Sequence, residues 1–286
     1  MNNKFKGIAF MCLSAMSFSM MQIFIALTAE RVPLFEQLIF RNLLASLIAY
    51  SSVRKNNLQP FGLKENRKLL FWRSFTGFLG MITLFYASAN ANQGDVAILN
   101  KMSPFIVTLM SYFFLKEKIT KYQKAGLVIA FSGAFFVANP EFNSNIFPLF
   151  IAVLSAIFAG LAYTFLGMLR GKEHPSVIIF CFSLFSTIVC IPALLFDFVL
   201  VSFTDLLYLI LIGVMAALGQ ITLTHAFIHS KPVDVSIYNY SGIIFSMLFG
   251  YIFLNQQVKS TSAIGAILVI ISATIVYFGT RKEETL

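Results

Sequence analysis

Polar and charged side chains occur at isolated positions inside long apolar runs of this sequence. They are amides, phenols, an imidazole and an ammonium group, at Gln22, Tyr86, Asn100, Lys101, Tyr163, His225, Asn239 and Tyr240. Such groups are costly in hydrocarbon unless they meet a partner or water, so each is a candidate for binding a polar substrate in a central cavity. The alternative for each is a hydrogen bond between helices that stabilises the bundle.

An internal repeat relates these candidates to one another. Two segments of the first half align without a gap with two of the second at an offset of 139 residues: Leu79–Leu84 with Leu218–Leu223, and Asp95–Asn100 with Asp234–Asn239. This offset pairs Asn100 with Asn239 and Tyr86 with His225, and an offset of 141 pairs Gln22 with Tyr163. A weak repeat in so apolar a chain is typical of secondary transporters, whose substrate site lies between the two copies.

The symmetry of the repeat fails at three notable paired positions, where we expect directionality and substrate choice to reside. The pairs are Lys101 with Tyr240, Pro104 with Ile243 and Glu117 with Gln256. Pro104 lies within the fourth apolar run, where a proline removes a backbone hydrogen bond and is predicted to kink the helix. A kink there suits a helix that bends between states, and the freed carbonyls could line the cavity.

Four charged residues inside the runs have alternative interpretations. Lys101 either snorkels to the outer surface or binds an anionic group of a substrate. For Arg41, near the middle of the second run, pairing with a carboxylate or with helix-end carbonyls is favoured over substrate contact. Glu36 is either a proton carrier or a salt-bridge partner. Arg73, next to Trp72, is interpreted as an anchor at the membrane interface.

Other polar motifs are assigned to structure. Asp95 and Asp234 begin helices and are expected to cap free N–H groups rather than to carry protons. Gly77 and Gly80 are assigned to close helix packing. The sequence has no HExxH zinc motif and no phosphate-binding GxxxxGK[ST] loop, so neither a metal nor a cofactor is expected.

The composition predicts a membrane protein. Of 286 residues, 58% are hydrophobic and 12% are charged, which is about half the charge of a soluble domain. The apolar runs are near 20 residues long, enough for a helix to cross about 30 Å of hydrocarbon. The formal charge of +9 could indicate nucleic acid, but the basic residues lie in short loops between the runs, where they orient membrane helices. We therefore predict an all-α polytopic protein in the lipid bilayer that does not bind nucleic acid.

Ten transmembrane helices are predicted, with short connections between them. They are Phe5–Thr28, Pro33–Val53, Leu69–Ala89, Gly94–Leu115, Tyr122–Asn139, Ile146–Leu169, Pro175–Phe196, Thr204–Ile228, Val233–Leu254 and Thr261–Gly279. With the N-terminus inside, sixteen of the 21 Lys and Arg residues lie in inside segments, and only Arg31 and Lys259 lie outside. This bias predicts that both termini are cytoplasmic. Five helices per copy is an odd number, so the copies, residues 1–140 and 141–286, must form an inverted repeat.

The junction between the fourth and fifth helices resembles a known family. The residues are Ala97–Phe105 with Pro104 inside, then Phe114–Thr120 with the sequence FLKEKIT, then Gln123 and Gly126. They are similar to the EamA branch of the drug/metabolite transporter superfamily, which often has Arg at the places of Arg41 and Arg73 as well. The second copy departs from the pattern at Ile243 and Gln256. The resemblance implies a secondary carrier, usually an exporter of amino acids or small metabolites, with a central cavity lined by helices 1, 3, 4, 6, 8 and 9.

These observations predict a secondary active exporter of a small polar metabolite, an amino acid or a derivative, that works by alternating access. We expect it in the bacterial cytoplasmic membrane, and coupling to protons is open, as is the oligomeric state. A lipid-modifying membrane enzyme would need a clustered nucleophile, base or metal site, which the sequence does not show. A passive channel is the other alternative, and it would conduct without saturation.

Overall fold

In hydrocarbon every backbone N–H and C=O group must be bonded within the chain, so the apolar runs fold as helices. The structure is a computed structural model that describes residues 3–115, 120–138, 146–229 and 237–284. Within those ranges it contains no strand. The helices are α1 (Asn3–Thr28), α2 (Leu34–Lys55), α3 (Arg67–Asn90), α4 (Gln93–Asn100), α5 (Ser103–Leu115), α6 (Lys121–Ala138), α7 (Phe147–Leu169), α8 (Pro175–Leu194), α9 (Phe203–His229), α10 (Ser241–Leu254) and α11 (Ser260–Glu284), with 3₁₀ turns at Lys64–Asn66 and Ile237–Tyr240.

Each predicted span has a helical counterpart whose ends are shifted by a few residues. Six helical segments of the described ranges are long and apolar enough to cross a membrane: Phe5–Thr28, Lys64–Asn90, Phe147–Leu169, Pro175–Leu194, Phe203–Ala226 and Ser260–Gly279. The start of the predicted ninth span lies outside the described residues, as do Asp234 and Glu117. The chain is an integral, multi-pass membrane protein of the all-α class.

The fourth span is broken, which corrects the prediction of one kinked helix. α4 ends at Asn100, Lys101 occupies its C-cap with φ −70° and ψ 3°, and α5 begins at Ser103. Pro104 is the second residue of α5, where its missing N–H costs no intrahelical bond. In the second copy the paired position lies in the 3₁₀ turn Ile237–Tyr240, which leads directly into α10. The described part of the ninth span therefore begins with a 3₁₀ turn at the position that matches the break in the fourth span.

The first turn of α4 differs from the expected capping by Asp95. Asn92 caps the helix instead, because its side-chain oxygen accepts the N–H of Gly94 at 3.0 Å. The carboxylate of Asp95 accepts the hydroxyl of Ser262 on α11. A carboxylate in the first turn still complements the positive end of the helix dipole. Asp95 thus connects the two repeats as well as stabilising the start of α4.

The packing of the helices follows a pseudo-two-fold axis. α1 packs on α9, and α3 packs on α7. Exchanging the two copies turns the first of these pairs into the second. The pairs α2 with α8 and α6 with α11 also pack together, and the exchange maps each of them onto itself. Because each copy contains an odd number of spans, the two copies are inverted in the membrane.

Glycines allow the symmetric pair α6 and α11 to pack at backbone distance. A Cβ atom on Gly133 would lie 3.0 Å from the carbonyl oxygen of Gly265, and one on Gly265 would lie 2.7 Å from the carbonyl oxygen of Gly133. Ser272 donates its hydroxyl to the carbonyl of Gly126 across the same contact. Small residues drive helix association in lipid, where the hydrophobic effect between helices is absent.

Polar contacts tie the repeats together at opposite ends of the bundle. Where α1 ends and α9 begins, the guanidinium of Arg31 pairs with Asp205 at 2.9 Å. Where α2 and α7 end, the carboxylate of Glu173 accepts the N–H of Leu63 at 2.7 Å and the amide of Asn66 at 2.9 Å. Each end of the bundle therefore has polar contacts that cross between the two copies.

Replacing Gly133 by Leu is expected to destabilise the bundle, because the added side chain meets the backbone of α11. Overpacking of a closed contact costs about 1–3 kcal/mol. Thermal unfolding of the purified protein in detergent measures this as a lower midpoint. Val128→Leu is the control, because Val128 lies on the same helix and is 69% exposed. Equal midpoints for both variants would contradict the contact.

The predicted orientation can be tested with reporter fusions. With both termini cytoplasmic, green fluorescent protein fused after Leu286 should fluoresce, and alkaline phosphatase at the same site should be inactive. Alkaline phosphatase fused after Gln257, between α10 and α11, should be active because this loop is predicted to lie outside. Active phosphatase at the C-terminus would reverse the orientation.

Candidate functional site

A cavity of about 100 Å³ lies beside the break in the fourth span and the 3₁₀ turn that precedes α10. Its wall draws on both repeats, with side chains from α1, α2, α3 and α4 of the first and from α7, α8, α9 and α10 of the second. Asn100 and Lys101 at the break and Asn239 in the 3₁₀ turn all face it. In transporters with inverted repeats, discontinuous helices of this kind form the substrate and ion sites.

Five of the predicted residues line the cavity. They are Gln22, Asn100, Lys101, Tyr163 and Asn239. They come from α1, from the end of α4, from the 3₁₀ turn before α10 and from α7, so the repeat brings residues from distant parts of the sequence to one place. Their role in substrate binding remains a prediction.

Three other predicted residues are not among those lining this cavity. The ring of Tyr86 packs edge-on against Phe147 at 5.9 Å, near the end of α3. The imidazole of His225 lies 5.7 Å from the ring of Phe10, beyond the cavity wall. Tyr240 is buried in the apolar core, 6.4 Å from Phe105. Pairing by repeat found equivalent positions, but it carried no information on which way each side chain points.

The two asparagines make different hydrogen bonds. The amide of Asn100 donates to the hydroxyl of Ser155 at 2.8 Å. The carbonyl oxygen of Asn239 accepts the ammonium of Lys101 at 2.8 Å. The Lys101 side chain thus enters the cavity, and the snorkelling alternative does not match the structure. Gly242 leaves room for it, because a Cβ there would lie 3.0 Å from Cε and 3.1 Å from Nζ of Lys101.

Two buried arginines, Arg41 and Arg73, form another part of the cavity wall. Arg41 donates from Nη1 to the side-chain oxygen of Asn42 at 2.6 Å, so its partner is an amide rather than the expected carboxylate or helix-end carbonyl. The guanidinium carbons of Arg41 and Arg73 lie 5.5 Å and 4.5 Å from the centre of the Phe182 ring. Cation–π attraction of this kind compensates part of the cost of burial.

Arg73 corrects the prediction of an interfacial anchor. It is 3% exposed, whereas its neighbour Trp72 is 41% exposed and faces outward. α3 begins at Arg67, so Arg73 lies about 9 Å along the helix at 1.5 Å per residue. Gly77 and Gly80 follow at helical spacing and also line the cavity. That shared helix face is the sequence signal that identifies Arg73 as a cavity residue.

Several buried polar atoms at the cavity have no hydrogen-bond partner within the described ranges. They are Nε of Arg41, Nε of Arg73, Nε2 of Gln220 and Oε1 of Gln22. The first three are donors and the last is an acceptor. Buried polar atoms are almost always bonded, so a cluster of exceptions marks a place where a ligand or water belongs. Gln220 was missed by the sequence analysis because its repeat partner is Met81.

Glu36 lies away from the cavity, in the first turn of α2. It is buried, and its carboxylate accepts the N–H of Val199 at 3.4 Å. The described part of the chain shows no salt bridge to it. Among the same residues, no group of three His, Cys, Asp or Glu side chains could hold a metal ion.

Comparison with known proteins matches this architecture. A model of the EamA-like transporter family matches residues 5–139 and 146–278. A solved crystal structure that is 12% identical superposes with a TM-score of 0.66, over 95% of this chain and 98% of that chain, which shows the fold alone.

Three relatives cover nearly the whole chain. The pseudopaline exporter CntI of Pseudomonas aeruginosa is 30% identical over 96% of this chain and 97% of that protein. An uncharacterized transporter of Helicobacter pylori is 24% identical over 97% of this chain and 96% of that protein. Solute carrier family 35 member G1 of Mus musculus is 26% identical over 94% of this chain and 77% of that protein. The family and these relatives are transporters rather than enzymes. With one match of the family model in each half, the chain belongs to the EamA-like transporter family.

Proposed function

We propose that this protein is a secondary active exporter that binds a small polar metabolite, an amino acid or a derivative, in the central cavity. The observation that carries the proposal is the cluster of unbonded buried polar atoms on residues that line the cavity. An apolar bundle gains nothing from such a cluster, because each unbonded group costs about 1–3 kcal/mol. A polar ligand that supplies the missing partners accounts for it.

The symmetry of the fold supports alternating access as the mechanism. Two inverted copies, assigned to residues 1–140 and 141–286, can exchange conformations and open the same site to opposite sides of the membrane. The polar contacts at the two ends, Arg31 with Asp205 and Glu173 with Leu63, would then break in turn. Such a cycle moves the substrate without a pore that is open to both sides.

The size of the cavity supports the same mechanism. Its volume of about 100 Å³ is below the roughly 300–1,000 Å³ of typical ligand sites. We therefore propose that the helices move apart on one side to admit a metabolite and close around it, as in a carrier rather than a passive channel.

Export is the direction that the 30% identical relative supports, because that protein is an exporter. Coupling to protons is proposed as the source of energy, and Glu36 is the buried carboxyl group assigned to it. Its site outside the cavity would let it bind a proton without displacing the substrate.

Comparative metabolite analysis tests the function. Cells with and without the gene should differ in a small set of compounds that accumulate in the medium. Each compound is then tested for saturable uptake into inverted membrane vesicles, with and without a pH gradient. Absence of any difference, or flux that never saturates, would contradict a carrier.

Asn239→Ala should reduce saturable transport at least tenfold, because Lys101 loses its acceptor and the cavity loses an amide. Asn100→Ala should also reduce transport. Asn90→Ala is the matched control, because its amide bonds the Tyr86 carbonyl at the end of α3, away from the cavity. Normal transport by expressed Asn100→Ala and Asn239→Ala would show that the cavity is not the substrate site.

A further inference from the structure

We propose that the cavity binds a polycarboxylate, an anion whose two or more carboxylate groups are held separately by the two arginines and by Lys101. The proposal rests on the proposed function, since it names the class of substrate for the same cavity. It specifies that the substrate is negatively charged, whereas the category of small polar metabolites leaves the charge of the substrate open.

Three cationic side chains face this cavity without a counter-charge. Arg41, Arg73 and Lys101 line it, and no Asp or Glu of the described ranges does. Charges at membrane depth are costly unless they are paired, and among the described residues no carboxylate lines the cavity to pair these three. The substrate is the remaining source of negative charge.

The missing hydrogen bonds point to the same chemistry. Three unbonded atoms at the cavity are donors, on Arg41, Arg73 and Gln220, whereas one is an acceptor, on Gln22. An ionised carboxylate only accepts hydrogen bonds, and each of its oxygens has two acceptor sites. Guanidinium groups match the planar carboxylate as a two-pronged fork. A carboxylate therefore satisfies the donors that the protein leaves without partners.

The arginines form one pole of the site. Both guanidinium groups lie against the same aromatic ring, that of Phe182. Gly77 keeps the space beside Arg73 open, because a Cβ there would collide with Nη1 of Arg73 and would lie 2.9 Å from the Phe182 ring. Both guanidinium groups therefore belong to one part of the cavity wall, next to Phe182.

Lys101 forms the second pole, at the C-terminal end of α4. Its ammonium carries three donors, and the described bond to Asn239 uses one of them. As a compact charge on a flexible stem, a lysine suits a second carboxylate that has no fixed orientation. The two poles lie on different elements, α2 and α3 for the arginines and the end of α4 for the lysine. A ligand with two separated anionic groups neutralises both poles, whereas a monocarboxylate leaves one uncompensated.

Binding to the wild-type protein gives a direct test. The protein in lipid nanodiscs is titrated with four five-carbon probes and with tricarballylate, and thermal unfolding and calorimetry report binding. The probes are glutarate with two carboxylates, valerate with one, uncharged glutaramide and cationic cadaverine. Glutarate and tricarballylate should raise the unfolding midpoint, and valerate should bind at least tenfold more weakly. Inorganic phosphate is a further probe, and it should not match glutarate.

Variants separate a binding role from a structural one. Arg73→Met and Lys101→Gln should each weaken glutarate binding at least tenfold, and Arg73→Lys should restore part of it by restoring charge. The ligand-free midpoint of Arg73→Met should equal or exceed that of the wild type, because an uncompensated buried charge has been removed. Arg54→Gln, which changes an exposed arginine in the last turn of α2, outside the cavity, should bind like the wild type.

Two measurements on the wild-type protein can overturn the proposal, and neither depends on the folding of a variant. The proposal is wrong if neither polycarboxylate stabilises the wild-type protein. It is also wrong if valerate, cadaverine or phosphate binds as tightly as glutarate. A lower ligand-free midpoint for Arg73→Met would also count against it, as a sign of a structural arginine. Failure of the proposed function gives a different result. If the protein binds glutarate but exports nothing, the anion site stands and the export function is wrong. If it exports a cation, the export function stands and the anion site is wrong.

Discussion

Three positive charges that share one cavity in a low-dielectric bundle are the constraint on which the rest of the structure depends. Each cation has a local arrangement that lowers its cost: Arg73 has Gly77 and an aromatic ring, Arg41 has the amide of Asn42, and Lys101 has Asn239 and Gly242. None of these partners carries a negative charge, so the compensation is partial. The apolar packing of the surrounding helices must hold the cations in place against that residual cost.

The fold is symmetric, but the site at its centre is not. The two copies exchange their helix contacts pairwise. At the centre, however, a lysine of one copy bonds an asparagine of the other, and the arginines come only from the first copy. The helix packing is thus symmetric, whereas the charge at the centre comes from the differences between the copies.

The spans could be predicted from the sequence because their apolar length is set by the membrane. The repeat identified Asn100 and Asn239 as a pair of candidate cavity residues. The break in the fourth span could not be predicted, because a proline signals a lost N–H without showing whether the helix bends or ends. Tyr86 and His225 were expected in the cavity because pairing gives position along a helix but not its rotation. Gln220 was missed because only pairs of polar residues were selected from the repeat, and its partner Met81 is apolar. Arg73 lies deeper than expected because α3 begins as early as Arg67.

Pro104 also decides whether the break in the fourth span can close into a continuous helix. A continuous α-helix through this break would leave the carbonyl of Asn100 without a donor, because residue 104 is a proline and has no N–H. The paired residue of the second copy is Ile243, which has an N–H that matches the carbonyl of Asn239 in helical spacing. The interruption of the fourth span is thus fixed by the covalent chain, whereas the second copy has no proline at that position.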